Sequence, residues 1–366
     1  MQTLEVKGAP NHYVCHQGVL KTLPTRLKEN QLTKGILLHG RKSWEAAKSY
    51  FPHFDIPVMN VLYDGECTYE EVQRVSEFTT DHGADFVLAV GGGKIMDIAK
   101  AVGNTVNLPV ILVPTLASNC AAWTPLSVFY DQKGNFLTYD VFSYSTFMVL
   151  VEPDILIDSP VAFMRAGIGD TIAKWYEADV LTRHMTPKPI AVEIAIHAAK
   201  LCRDVLLEEG TVAITAMKAK QVTPSFVRVI ETIIMSGGMV GSYGDKYGRI
   251  AGAHSIHNGI TTIPETHVYM HGEKVAYGVL VQIALENRFN EIDFLLPYYH
   301  ELALPTSLSE LGITENTDKT IQLIANASTK SGESIHLMGV SNASELTQAM
   351  QLLEEHVTKK RLAKEG

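Results

Sequence analysis

The stretch from residue 85 to residue 102 restricts the fold more than any other part of the chain. An apolar run at 85–90 leads directly into Gly91, Gly92, Gly93 and Lys94, and a helical pattern with one apolar face follows. Further strand-like runs lie at 35–40, 57–63 and 108–115, and a helix-like stretch lies at 69–82. Strands that alternate with helices predict a parallel sheet covered by helices on both faces.

The pattern changes in the second half of the chain. Residues 127–130 and 136–142 flank a predicted hairpin turn at 131–135, and 147–151 is a last strand-like run. Beyond about residue 160 the patterns are helical, at 189–209, 225–240 and 273–287. Asn342 and Glu345 have the spacing of a capping box, which predicts a C-terminal helix to about residue 360. We therefore predict a Rossmann-like α/β domain over residues 1–160 and an all-α domain over 161–366.

Composition excludes several functional classes. The chain has 366 residues, of which 46% are hydrophobic and 19% charged, and its net charge is −9. A net negative charge argues against binding to nucleic acid or to an anionic membrane. The four cysteines are scattered without a C-x-x-C pair, and the sequence has neither a signal-peptide run nor 18 unbroken apolar residues. We expect a cytoplasmic protein with no membrane partner.

The glycine triplet predicts a phosphate site. Glycine lets a phosphate approach the backbone, the N–H groups that open the next helix attract anions, and Lys94 adds a positive charge there. Neither a G-x-G-x-x-G nor a Walker motif is present, so a tight strand-to-helix turn is the alternative. The loop at 115–124 follows the next strand, at the edge where parallel sheets bind ligands, but an ordinary loop fits equally well.

Four histidines lie within residues 251–278: His254, His257, His267 and His271. This density suggests metal or proton chemistry, although single histidines are usually structural. A helix, a turn at Asn258-Gly259 and a second helix would bring His254 and His271 together, with His267 exposed in a loop.

Asp170 is the candidate for a third ligand. One carboxylate with two imidazoles makes a three-ligand site with an open position, as in catalytic zinc sites. The alternative is a helix N-cap, because Asp170 follows a glycine and precedes helix-forming residues.

Four motifs together resemble a known family. They are G-G-G-K-x-x-D at 91–97, P-T-x-A-S at 114–118, G-x-G-D at 167–170, and H-x-I-H-N-G with H-G-E-K-V-A-Y-G from His254 and His271. They are similar to the glycerol dehydrogenase group of metal-dependent, iron-type (group III) alcohol dehydrogenases over nearly the whole chain. The resemblance implies a dehydroquinate synthase-like two-domain fold, a nicotinamide cofactor, and one divalent metal held by Asp170, His254 and His271.

The resemblance also implies which residues bind the cofactor. Gly92, Gly93, Lys94 and Asp97 would lie at the pyrophosphate, and Thr115 and Ser118 at the adenosine and ribose side. Thr124, Leu126 and Tyr130 would flank the nicotinamide.

Three departures from the family pattern refine the expected chemistry. Lys174 stands where iron-type members often carry a histidine, which favours zinc. Asn119 and Cys120 stand where glycerol dehydrogenases carry an aspartate, which disfavours glycerol. Gly40 and Arg41, followed by Lys42 and Ser43, stand where an acidic residue would hold the ribose of NAD, so NADP(H) is favoured over NAD(H).

The stretches at 120–128 and 166–178 look most like the hydroxycarboxylate dehydrogenase branch, which reduces small 2-oxo acids. Cys120 in place of an anion removes repulsion toward a substrate carboxylate, and Lys174 could face that carboxylate, unless it is a solvated helix lysine. The resemblance further implies hydride transfer at a small-molecule carbonyl and a homo-oligomer.

Glycerol dehydrogenase is the main alternative. A dehydroquinate synthase-like lyase would need several cations, yet 241–271 offers only Lys246 and Arg249. A non-catalytic dinucleotide sensor would not need the complete set of three ligands.

Overall fold

A parallel sheet forms the N-terminal part of the computed structural model, which describes residues 4–132, 134, 136–315 and 317–365. The strands are β1 (His12–Cys15), β2 (Gly35–His39), β3 (Val58–Leu62), β4 (Phe86–Gly91), β5 (Val110–Pro114), β6 (Leu126–Tyr130), β7 (Phe136–Val141) and β8 (Met148–Val151). Within the described residues the main sheet has the order β1-β8-β5-β4-β2-β3, and every neighbouring pair is parallel. The predicted parallel sheet is confirmed.

The central strands are buried along their whole length. Every residue of β2, β4, β5 and β8 is buried, so these strands appear in the sequence as continuous apolar runs without alternation. Strand β1, with the sequence HYVC, lies at the sheet edge and is only half-buried. Its short and mixed sequence explains why the pattern did not predict it.

The hairpin predicted from the sequence is present as a separate antiparallel pair. Strand β6 pairs with β7, and the outward-facing β7 is almost wholly exposed. Lys133 and Asn135 of the predicted turn lie outside the described residues.

The first helices pack on the sheet. They are α1 (Leu23–Glu29), α2 (Arg41–Ala47), α3 (Tyr69–His82) and α4 (Gly93–Val106), followed by α5 (Pro153–Ile157) after the last strand. Helix α3 has the predicted bounds, with Thr68 as N-cap accepting from the Glu71 N–H and Gly83 ending it at φ 64°.

Helices make up the rest of the described chain. They are α6 (Val161–Thr182), α7 (Ile190–Ala219), α8 (Pro224–Glu231), α9 (Gly237–Gly244), α10 (Gly252–Ile260), α11 (His271–Leu285), α12 (Phe289–Leu302), α13 (Thr317–Ser328) and α14 (Ala343–Glu365), with a π-helical turn at Thr232–Ser236 between α8 and α9. Asn342 caps α14, since its Oδ1 accepts from the Ser344 and Glu345 N–H groups.

The expected turn at Asn258-Gly259 and the N-cap alternative for Asp170 are both wrong. Asn258 and Gly259 lie inside α10, because Gly259 packs against α13, where a Cβ would lie 2.1 Å from Ser328 Oγ. The chain turns later, through Pro264–Val268. Asp170 is not an N-cap, since it lies in the middle of the 22-residue helix α6.

One buried apolar cluster extends from the sheet into the helices. It includes side chains of β4 and β5 as well as Ile168 and Ile172 of α6 and Val279 of α11. The domain boundary at residue 160 stays a prediction, although the last described strand ends at Val151. None of the helices in the described ranges combines the length and the apolar character needed to cross a bilayer.

Candidate metal and cofactor site

Glycines in α6 bring the helix into backbone contact with two other segments. A Cβ on Gly167 would lie 2.1 Å from the Ala117 carbonyl oxygen in the loop after β5. A Cβ on Gly169 would lie 2.5 Å from the carbonyl oxygen of Gly272, at the start of α11. Because neither contact leaves room for a side chain, these glycines place Asp170 between the loop and α11.

Asp170, His254 and His271 come together at this point. His254 Nε2 lies 3.2 Å from Asp170 Oδ1, and His271 Nε2 lies 3.4 Å from the same oxygen. One ligand atom from each residue fits within 4.8 Å of the others. Asp170 and His254 are buried, whereas about half of the His271 side chain is exposed, so the cluster is open on one side.

The spacing of these donor atoms fits a metal ion. In a tetrahedral site with ligand bonds of about 2.1 Å, neighbouring donor atoms lie about 3.4 Å apart. The separations of the two histidine Nε2 atoms from Asp170 Oδ1, 3.2 and 3.4 Å, match that value. The set leaves one position open, and oxygen and nitrogen donors without sulfur suit zinc among other divalent ions.

The electrostatics of the cluster favour an ionised Asp170. Burial alone would raise the pKa of Asp170, but Lys174 and the two histidines outweigh it, and the pKa lies well below its usual range. Burial would lower the pKa of His254, but Glu177 opposes it and the pKa rises to about 9. A cation is therefore favoured between these carboxylates.

The other two histidines have different environments. His257 is half-buried, and its Nε2 lies 3.0 Å from His271 Nδ1. His267 is exposed. Within the described residues its one side-chain hydrogen bond joins Nε2 to the Thr261 carbonyl oxygen, at 2.9 Å. The predicted exposure of His267 is confirmed.

Lys174 lies beside the cluster and is buried, with 8% exposed. The alternative of a solvated helix lysine is therefore wrong. Burial would lower the pKa of Lys174, but the nearby Asp170 carboxylate opposes this and the pKa is raised. Within the described ranges, its ammonium has one hydrogen-bond acceptor, the Arg249 carbonyl oxygen at 3.4 Å. Burial raises the pKa of the Cys120 thiol, which is therefore uncharged at neutral pH.

The glycine turn lies at the carboxyl end of β4. Gly92 is the N-cap of α4, and Gly93 approaches Asn119, whose Nδ2 would lie 2.8 Å from a Cβ on Gly93. Lys94 pairs with Glu66 and lies over the ring of Tyr130, 5.4 Å from its centroid. The turn and the loop after β5 therefore form one edge, with open N–H groups at the start of α4.

The buried ion pair of Asp97 and Lys100 holds the segment that follows β5 in place. Asp97 Oδ1 lies 2.9 Å from Lys100 Nζ, and Lys100 donates to the carbonyl oxygens of Ala121 at 2.7 Å, Thr124 at 3.1 Å and Leu126. Asp97 is only 6% exposed, so it is placed to hold the loop, and its direct contact with a cofactor stays a prediction.

The other predicted cofactor residues line the same sheet edge. Gly40 is the N-cap of α2, next to the exposed Arg41, and Thr115 donates its N–H to the Gly91 carbonyl oxygen at 2.9 Å. Ser43 Oγ is within 3.0 Å of the Gly40 nitrogen and 2.9 Å of the Val90 carbonyl oxygen, so its hydroxyl is engaged. Ser118 is half-buried in the loop after β5.

Sequence reasoning missed three functional candidates: Glu66, Lys100 and Glu177. Each acts through a long-range contact, such as Glu177 with His254, 77 residues later. Only the spacing of Asp97 and Lys100, three apart on one helix, was a local signal.

Comparison with known proteins gives consistent relatives. A family model described as iron-containing alcohol dehydrogenase matches residues 10–153. Hydroxycarboxylate dehydrogenase A of Escherichia coli strain K12 is 39% identical over 340 residues, covering 92% of this chain and 94% of that protein. A glycerol dehydrogenase of Pseudomonas putida is 39% identical over 283 residues, 76% of each chain. The crystal structure of glycerol dehydrogenase from Schizosaccharomyces pombe has a TM-score of 0.88 at 28% identity, covering 98% of this chain and 92% of that one.

Proposed function

The chain belongs to the iron-containing alcohol dehydrogenase family, and we propose that it is a zinc-dependent, nicotinamide-dependent dehydrogenase that reduces small 2-oxo acids to 2-hydroxy acids. The observation that carries the proposal is the position of Lys174, a buried ammonium beside the Asp170–His254–His271 cluster. The 39% identity to hydroxycarboxylate dehydrogenase A supports the same substrate class.

Asp170, His254 and His271 would hold the metal through one oxygen and two Nε2 atoms. A bound divalent ion supplies a Lewis acid for the substrate carbonyl oxygen. The protein's part is to keep the three donors at their spacing and one side of the cluster accessible, which the half-exposed His271 does.

The cofactor would lie along the carboxyl edge of the sheet. The N–H groups of Gly92 and Gly93 at the start of α4 suit a pyrophosphate. Lys94 would add its positive charge there once its ion pair with Glu66 is broken. Thr115 and Ser118 would line the adenosine and ribose side, and Thr124, Leu126 and Tyr130 the nicotinamide side. Arg41 at the start of α2 would pair with a 2′-phosphate, which favours NADP(H) over NAD(H).

The substrate carboxylate would be bound by Lys174. Its ammonium has three donors and one long hydrogen bond in the described part of the chain, so donors remain for an anion. Asn119 lies in the same loop as Cys120, whose neutral thiol does not repel a carboxylate. A charged ligand next to a buried ammonium forms a stronger hydrogen bond than a neutral one.

Initial rates of NADPH and NADH oxidation test the proposal. The zinc-loaded protein should be offered 2-oxobutyrate, 2-oxoglutarate and dihydroxyacetone at equal concentrations. We expect both 2-oxo acids, or one of them, to give a higher kcat/KM than dihydroxyacetone. No oxidation of either cofactor with any carbonyl compound would refute a dehydrogenase function.

Oxidation of glycerol is the second candidate, favoured by the likeness to glycerol dehydrogenases in sequence and structure. The same panel decides between the two. A higher kcat/KM for dihydroxyacetone than for both acids, with NADH preferred, would favour glycerol.

A further inference from the structure

The two histidines of the metal cluster share one arrangement. Each turns Nε2 toward Asp170 and Nδ1 away from it, toward a group outside the cluster. A neutral imidazole can bind a metal only through the nitrogen that lacks a proton, so the partner of Nδ1 decides whether Nε2 is available.

Glu177 is the partner of His254. This carboxylate is 2% exposed and lies on α6, two turns after Asp170. Its Oε2 lies 2.7 Å from His254 Nδ1, while its Oε1 accepts from the N–H groups of Ala251 at 2.7 Å and His254 at 3.0 Å. Because a carboxylate only accepts, the single proton of a neutral His254 must lie on Nδ1, and Nε2 then has its lone pair free for a metal.

A longer chain of hydrogen bonds leads from His271 to Glu333. His271 Nδ1 lies 3.0 Å from His257 Nε2, and His257 Nδ1 lies 3.1 Å from Asn258 Oδ1. Asn258 Nδ2 donates to the Glu333 carboxylate, at 3.3 and 3.2 Å from its two oxygens. A fixed Asn258 amide presents its oxygen to His257, so His257 Nδ1 donates, its Nε2 accepts, and His271 Nδ1 carries the proton.

We propose that Glu177 and Glu333 are positioning residues that set the tautomers of the two histidines of the cluster, Glu177 directly and Glu333 through Asn258 and His257. This inference rests on the proposed metal-dependent function. It adds that carboxylates outside the ligand set make both Nε2 atoms available at once.

Glu177→Gln separates this role from a purely structural one. Its amide oxygen can replace Oε1 and still accept from Ala251 and His254, so the start of α10 keeps its cap. Its amide NH₂ group then faces His254 Nδ1 and favours the tautomer with the proton on Nε2, which weakens metal binding. Glu177→Asp keeps an acceptor-only group and should retain more metal affinity than Glu177→Gln.

The matched control is Glu354→Gln. Glu354 is likewise a helical carboxylate, although it is half-buried, and its Oε1 accepts from the Leu308 N–H at 3.0 Å and the Tyr277 hydroxyl at 2.8 Å. It contacts no histidine in the described residues. Glutamine can keep both contacts there without altering a tautomer.

Metal-free wild-type and variant proteins should be titrated with zinc against a chromophoric chelator and with Co²⁺ by visible absorption. We expect about 10–100-fold weaker zinc binding in Glu177→Gln, with an altered Co²⁺ spectrum. We expect a smaller loss, about threefold to tenfold, in Glu333→Ala, whose side chain is partly exposed. Glu354→Gln should bind like wild type. Melting temperatures of the metal-free forms check that each variant folds.

Wild-type zinc affinity in a folded Glu177→Gln would overturn the direct role of Glu177. Wild-type affinity in Glu333→Ala would overturn the role of Glu333 through Asn258 and His257. If Glu177→Gln does not fold, a Glu177→Asp affinity reduced by 100-fold or more would overturn the tautomer argument, since that variant keeps the acceptor. If the wild-type protein binds no zinc, the proposed function and this inference fail together.

Discussion

Two residues beside the metal cluster, Cys120 and Lys174, define the charge that a substrate meets. The thiol is neutral because burial raises its pKa, and the ammonium is charged because Asp170 opposes the effect of burial on its pKa, which is raised. Electrostatic discrimination is strong in such a place, since unit charges at about 4 Å interact by about 4 kcal/mol near a protein surface.

Cys120→Asp should therefore weaken the use of 2-oxo acids. A carboxylate there would repel the substrate carboxylate and pair with Lys174, so we expect kcat/KM for 2-oxobutyrate to fall at least about tenfold, about 1.4 kcal/mol, while dihydroxyacetone is used as well or better. Cys120→Asn, of similar size without the charge, is the control. Unchanged relative kcat/KM for acid and polyol substrates would refute the charge argument.

Arg41→Ala tests cofactor preference at the same scale. The exposed guanidinium at the start of α2 would form charge-assisted hydrogen bonds with a 2′-phosphate, each worth about 1.5–3 kcal/mol. We expect kcat/KM for NADPH to fall at least about tenfold while that for NADH, the internal control, stays within about twofold. An equal fall for both cofactors would contradict this role.

At the scale of elements, helix α6 connects the loop after β5 to α11, because its glycines allow close backbone contact with both. Gly167 lies against Ala117, and Gly169 lies against Gly272 of α11. The helix thereby positions Asp170 next to His271 and places Lys174 near the loop that carries Cys120.

Gly167→Ala should separate α6 from the loop after β5. Alanine favours a helix by about 1 kcal/mol, but a Cβ placed 2.1 Å from the Ala117 carbonyl oxygen forces backbone to move. We expect a net loss of about 1–3 kcal/mol in unfolding free energy and a raised KM for cofactor. Greater stability in urea unfolding would contradict the contact.

Hydrogen bonds to the Asp85 carboxylate connect the starts of β2 and β4. Its carboxylate accepts from the Thr33 N–H at 2.8 Å, the Thr33 hydroxyl at 2.7 Å and the Lys34 N–H at 3.1 Å. Burial would raise the pKa of Asp85, but these hydrogen bonds outweigh it and the pKa is lowered.

Asp85→Ala should lower the unfolding free energy by about 1–2 kcal/mol at pH 7. Since the folded-state pKa is below the unfolded value, this contribution is present above about pH 4 and is lost as pH falls through the folded pKa. The difference between wild type and variant should shrink from pH 7 to pH 3 in urea unfolding. A pH-independent difference would show that ionisation of Asp85 is not involved.

At the scale of the whole molecule, a bound metal would connect α6, α10 and α11. Zinc at about 100 times its dissociation constant should add about 2.7 kcal/mol to stability, a rise of a few degrees in melting temperature. EDTA should remove that rise and added zinc should restore it. Asp170→Asn should abolish the zinc-dependent shift, and a shift that persists in this variant would place the metal elsewhere. Association into a homo-oligomer stays a prediction.

The sequence by itself determined the layers of the fold and the identity of the cluster residues. Continuous apolar runs such as Val110–Pro114, alternating with helical patterns, predicted a covered parallel sheet, and the motif around His254 and His271 carried the resemblance to the family. Helix α3 had the predicted bounds because its cap residue and glycine stop are local signals.

Only the tertiary structure decided the course of the chain around the cluster and the partners of its residues. Asn258-Gly259 stays helical because α13 packs against it, and Asp170 lies within α6, whose close neighbours are set by the contacts of Gly167 and Gly169. The contact of Glu177 with His254 joins residues 77 positions apart. Local sequence fixes propensity and spacing, whereas such pairs depend on which buried groups the packed helices bring within hydrogen-bonding distance.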